Sequence, residues 1–213
     1  PRSCSDKGAP LGETSQTLDL WNGWLDSQFE VQGHRVEVST ACHPARDVLA
    51  VRIESPLIER GRLCVLLAFP YGNPDWRDAA DWDHPDRHTT EARIAGAEAE
   101  LKRILDADRY YVGILGSEGT RIRRVSQHEY EIDREDGSPL EIVLAFSPQT
   151  ITTPLPTFEE VRDSASEHWE DFWQSGGAID FSQCTDPRAR ELERRVVLSQ
   201  YLMAVNCSGD RPP

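Results

Sequence analysis

A mainly β protein, an antiparallel β-sandwich with a helical C-terminal part, is predicted by three observations. Between residues 17 and 146, short alternating or apolar runs are separated by turn residues, as in sandwiches. After Ser147 the apolar spacing changes from the strand period of two to the helical period. At that change Thr157-Phe158-Glu159-Glu160 forms a capping box, the side-chain arrangement that satisfies the first free amides of a helix.

Taken in order, Leu18, Leu20, Trp21, Trp24 and Leu25 make a first apolar segment, broken by the turn dipeptide Asn22-Gly23. Residues 29–31 and 36–38 alternate on either side of Gln32-Gly33-His34 and read as a hairpin. Residues 48–53 give a further strand, and the continuous apolar run 63–69 fits a strand buried on both faces. Residues 70–90 carry no sustained hydrophobic period and are interrupted by Pro70, Pro74 and Pro85, so a long loop is expected there. Strands resume at 90–94, 100–104 and 109–115, and a last hairpin is expected to pair 120–132 with 140–146 across Asp136-Gly137.

Beyond the stiff connector Pro154-Leu155-Pro156, Phe158, Val161, Ala165, Trp169 and Phe172 recur at helical spacing until Gly176-Gly177 supplies a stop. A short strand is expected at 178–181. Asp186-Pro187 then opens a second helix whose stripe includes Leu192, Val196, Leu198, Tyr201, Leu202 and Val205. These signals divide the chain into a sandwich (1–153), a linker helix with a short strand (154–185) and the start of a helical domain (186–213). The last helix is apolar over more than one face and needs partners on several sides.

The 213 residues, 38% apolar and 28% charged, fit an ordinary globular composition. A formal charge of −14 argues against nucleic acid, which demands a basic footprint. Alternation places Arg121 and Arg123 on one strand face and Arg124 on the other, a solvated basic cluster. No apolar run approaches membrane-spanning length. The five cysteines show neither a CxxC pair nor metal-ligand spacing. The chain starts with Pro1 and ends in Arg211-Pro212-Pro213, which is read as a piece cut at both ends. A secreted or periplasmic location is expected ahead of a cytoplasmic one.

Hydrolysis of a glycosidic bond needs two carboxyl groups facing one bond. Among 37 acidic residues no spacing selects a pair, and Glu170 and Asp171 flank a helical stripe as solvated charges do. His84 and His88 stand four apart beside Asp81 and Asp83, but Pro85 breaks the helix that metal ligation at that spacing needs, so a polar loop is preferred and no metal or cofactor is assigned. Aromatic residues are more informative, because sugar rings present flat C–H faces that pack on indole. Trp21 and Trp24 are expected in the core of the first hairpin, and Trp169 and Trp173 between helix and sandwich. Tyr71, Trp76 and Trp82 lie in a Pro- and Asp-rich loop that has little structural need of two indoles.

The segments His168-Trp169-Glu170-Asp171-Phe172-Trp173, Ser175-Gly176-Gly177-Ala178-Ile179-Asp180 and Asp186-Pro187-Arg188, with the following Leu192-Glu193-Arg194-Arg195-Val196, resemble the junction of six-hairpin glycosidases. Leu20-Trp21-Asn22-Gly23 resembles their sandwich portion. The resemblance implies a β-supersandwich joined by a linker helix to an (α/α)6 barrel, of which this sequence carries the first helix. It implies a glycoside hydrolase, or a phosphorylase, acting on an oligo- or polysaccharide. Its catalytic residues lie mostly in the missing barrel, so this piece alone is expected to be inactive. Sandwich loops reach the barrel mouth in some relatives, which makes Tyr71, Asp75, Trp76, Trp82 and His88 candidate substrate contacts, with Asn206 a further one on the first inter-helix loop. A non-catalytic carbohydrate-binding sandwich is the rival reading.

Overall fold

Alternation in the first two thirds of the chain becomes strands, and the computed structural model describes residues 10–75, 77–176 and 178–207. The chain begins with β1 (Gly12–Asp19), β2 (Trp24–Val31), β3 (His34–Cys42) and β4 (Val48–Glu54), then a single helical turn, α1 (Pro56–Glu59). There follow β5 (Val65–Ala68), β6 (Tyr71–Gly72), β7 (Ala80–Asp81), a 3-10 turn at Pro85–Arg87 and β8 (His88–Ala95). Next come β9 (Glu98–Leu105), β10 (Asp108–Gly116), β11 (Arg121–Arg124), β12 (Glu129–Asp133) and β13 (Leu140–Ser147). The chain closes with α2 (Phe158–Gln174) and α3 (Ala189–Cys207).

An eight-stranded antiparallel sheet runs in the order β1-β2-β3-β4-β13-β10-β9-β8, and a three-stranded sheet in the order β11-β12-β5 faces it. The expected first hairpin forms with Val31 opposite His34. Gln32 and Gly33 both take positive φ, 52° and 73°, the handedness that a two-residue hairpin turn requires. Alternation along β13 sorts the core. Leu140 and Ile142 join the inner cluster between the two sheets, with Leu101, Ile114, Tyr130 and Ile132. Val143 and Ala145 point the other way and meet Phe158 and Val161 of α2. The large sheet therefore lies between the small sheet and α2.

Three expectations are corrected. Residues 120–132 do not pair with 140–146: β11 and β12 fold on each other, Arg121 opposite Asp133, while β13 lies between β4 and β10. With buried residues on both faces, β13 fits a central position in the large sheet, and Asp136-Gly137 lies on the crossover between sheets. The 63–69 run is strand only over Val65–Ala68, and it pairs only with β12 at the edge of the small sheet, leaving Leu66 exposed. Residues 178–181 form no strand, since no neighbouring strand offers a ladder there; the Phe181 amide instead donates to the Glu193 carboxylate.

The capping box forms as expected: Thr157 Oγ1 accepts from the Glu160 amide at 3.3 Å, and the Glu160 carboxylate accepts from the Thr157 amide at 2.7 Å. Trp173 is buried between α2 and the sandwich, and its indole N–H donates to the Leu20 carbonyl at 2.8 Å. Trp169 stacks on Trp173, meets Phe172 edge-to-face and makes a tilted contact with Tyr201 of α3. The β1–β2 turn reaches this cluster because residue 23 is glycine. A Cβ there would lie 2.1 Å from Trp169 Cδ1, and φ is +72°. Trp24 packs on the core under α2 as expected, with the Arg162 guanidinium 3.8 Å from its ring centroid. Trp21 is not core: it sits in the turn, 59% exposed, and meets Trp173 in a tilted ring contact.

Candidate functional site

The loop expected over 70–90 is better ordered than its composition implies, because β6 and β7 pair across it, Tyr71 opposite Asp81. Tyr71 is buried and works as a clamp. Its hydroxyl donates to the Asp106 carboxylate at 2.6 Å and accepts from Arg87 at 3.0 Å, while the Arg87 guanidinium lies 4.2 Å from the ring centroid. The hydrogen bond to Asp106 holds the phenol above its usual pKa. Asp75 is exposed and closes a local turn by accepting from the Arg77 amide at 3.0 Å. Trp76 lies outside the described residues.

At the end of the loop His88 enters β8 and is buried, its ring stacked on His128 with centroids 3.7 Å apart. Alternation along the β12 segment brings His128, Tyr130 and Ile132 to the buried side. The fully buried Arg103 organises the group from β9. Its guanidinium donates to Thr90 Oγ1 at 2.6 Å, to the Pro70 carbonyl at 3.1 Å and to the Tyr110 hydroxyl at 3.3 Å. Thr90 Oγ1, with that donor supplied, donates its own hydrogen bond to His128 Nδ1 at 2.7 Å. His128 Nε2–H then donates to the Pro85 carbonyl at 2.8 Å. Both ends of the loop are tied to the sandwich by this chain of bonds.

Burial, helped by the Arg103 and His128 charges, pushes His88 down to about 4. Burial also lowers His128, and both rings are neutral at pH 7. His84 does not join them. Its Nδ1 lies 2.8 Å from the Asp81 carboxylate, which this contact holds below the usual range. Among the described residues no group of three or more His, Cys, Asp or Glu side chains is placed to hold a metal ion.

A pocket of about 240 Å³ opens beside the histidine pair. The 81–88 side contributes Trp82, Pro85 and His88, and the turn between β11 and β12 contributes Gln127 and Glu129. Arg124 shapes that turn by donating to the Ser126 and Gln127 carbonyls, at 3.0 and 2.6 Å. Of the expected contacts, the pocket gathers Trp82 and His88, with Tyr71 one ring away at 5.9 Å from His88. Asn206 is on α3, where its amide donates to the Leu202 carbonyl, and lines no part of this pocket. Sequence reasoning missed Thr90, Arg103 and His128. The available signal was a polar residue on a largely apolar strand face, such as Arg103 after Ala99 and Leu101.

Arg121 and Arg123 meet Asp133 and Glu131 across the β11–β12 ladder and remain partly solvated. No described helix is long and apolar enough to cross a membrane.

The eight-stranded sheet, its small facing sheet and the packed linker helix define a sandwich-and-linker fold. No protein-family model matches the sequence, and neither does any curated protein sequence. Among solved structures, a protein described as a kojibiose phosphorylase from the human microbiome matches 92% of this chain with a TM-score of 0.57 and 9% identity. A bacterial glucoamylase complexed with acarbose matches 91% with a TM-score of 0.55 and 10% identity. The chain spans 28% and 32% of those two proteins. The likeness is one of fold.

Proposed function

We propose that this chain forms the β-sandwich, linker helix and first barrel helix of a carbohydrate-active enzyme, a glycoside hydrolase or phosphorylase acting on an oligo- or polysaccharide. The observation that carries this reading is the extent of the fold match. It covers more than nine tenths of the chain in two carbohydrate-active enzymes, each about three times as long or more. The surface of α3 supports it. Leu192, Leu202, Met203 and Val205 are each about half exposed or more, an apolar face that a further layer of helices would bury. The general acid and base are assigned to that layer, since the buried carboxylates among the described residues, Glu131 and Asp133, are taken up by ion pairs with Arg123. The 71–88 loop, with the exposed Trp82 just after β7, then contributes to the substrate site, and Asn206 near the end of α3 is a second contact.

The test uses the longest protein that the gene encodes, assayed on α- and β-linked oligosaccharides with and without inorganic phosphate. Turnover is expected, and Trp82→Ala is expected to raise KM several-fold or more. Unchanged KM and kcat in Trp82→Ala and in Asn206→Ala would remove the substrate roles of these residues. Absence of turnover on every substrate would remove the enzyme reading and favour a binding sandwich.

A further inference from the structure

We infer that the pocket between Trp82 and the 126–129 turn is a self-contained binding site for one neutral pyranose ring, formed by the sandwich alone. The carbohydrate class rests on the function proposed above. Size, neutrality and independence from any barrel rest on the pocket.

Its volume of about 240 Å³ lies below the range typical of drug-sized ligands and suits a single sugar ring. Trp82 is 59% exposed, an indole with free surface beside the cavity and a suitable platform for the C–H face of a pyranose. Polar groups on the opposite wall match hydroxyls. The Gln127 amide both donates and accepts, and the Glu129 carboxylate accepts. His88, on the Trp82 side of the cavity, is 4% exposed and its Nδ1 is buried without a hydrogen-bond partner among the described residues.

The walls are held in place before any ligand arrives. Arg103 and Thr90 fix His128 and the start of the loop, and Arg124 fixes the opposing turn. A preformed site loses less ordering entropy on binding. The carboxylates of Asp81 and Glu129 line the cavity while both imidazoles are neutral, so anionic sugars are disfavoured.

Amide-detected NMR titration of this chain with D-glucose, D-galactose and D-mannose tests the site. At least one sugar is expected to shift amides of residues 81–90 and 126–129 saturably. The expected Kd is about 1–10 mM, as suits about twelve non-hydrogen atoms at ordinary ligand efficiency. Trp82→Ala is expected to weaken binding about tenfold or more, Gln127→Ala several-fold, and glucose 6-phosphate is expected not to bind. Trp21→Ala, which removes the other strongly exposed indole among the described residues, is expected to bind as the parent does. The site is overturned if none of the three sugars binds saturably up to about 100 mM, or if Trp82→Ala binds unchanged. Turnover by the longest gene product without binding to this chain would remove the pocket and leave the enzyme reading. Binding without turnover would do the reverse.

Discussion

Two aromatic regions of this molecule handle water in opposite ways. At the junction, Trp169, Phe172, Trp173 and Tyr201 lock the β1–β2 turn onto α2 and α3 through ring contacts and one indole hydrogen bond. At the pocket, His128 is buried with polar partners, His88 is buried in a stack against it, and Trp82 beside them stands in solvent. The first arrangement stabilises an interface between elements. The second spends buried hydrogen bonds on holding a small cavity open. Residue type alone does not separate them; what separates them is whether an indole has a packed face and a bonded N–H.

The largest expected effect tests the junction. Trp173→Ala removes a nearly fully buried indole and leaves the Leu20 carbonyl without its donor, so unfolding by urea is expected to show a loss of about 4 kcal/mol. Gly23→Ala comes next, at about 3 kcal/mol, because the new Cβ meets Trp169 and the backbone has positive φ. A loss below about 0.5 kcal/mol in either variant would mean that the turn does not seat on α2.

Acid tests the pocket. The His88 pKa is lowered from an ordinary value of 6.5 to about 4, and that of His128 is lowered too. The unfolded chain therefore binds more protons in that window. The contribution is fully present above about pH 6.5 and is lost as pH falls towards 4, amounting to about 2–3 kcal/mol from His88. Thermal unfolding across pH 7 to 4 measures it, and His88→Gln is expected to flatten the slope. The smallest effect sharpens the contrast between the indoles: Trp82→Ala is expected to change stability by less than about 0.5 kcal/mol.

Much of the fold was legible. The Gln32-Gly33 turn, the Thr157 capping box and the burial of Trp173 follow from local chemistry that residue order displays directly. The failures are non-local. Nothing in the 120–146 segment announces that β12 turns back on β11 while β13 inserts between β4 and β10, since sheet partners are chosen by burial on both faces. The candidate site shows the same limit. Trp82 and His88 stood out in an unusual loop, but Arg103 and His128 reach them from strands 15 and 40 residues away from His88 in sequence, and a polar residue on an apolar face does not name its partner.

The most direct test of the account is the activity of the longest protein that the gene encodes, followed by product analysis on a panel of oligosaccharides with and without inorganic phosphate. Release of a free sugar or a sugar phosphate, with KM raised by Trp82→Ala, is the predicted result. A protein that folds cooperatively and leaves every oligosaccharide intact would contradict it.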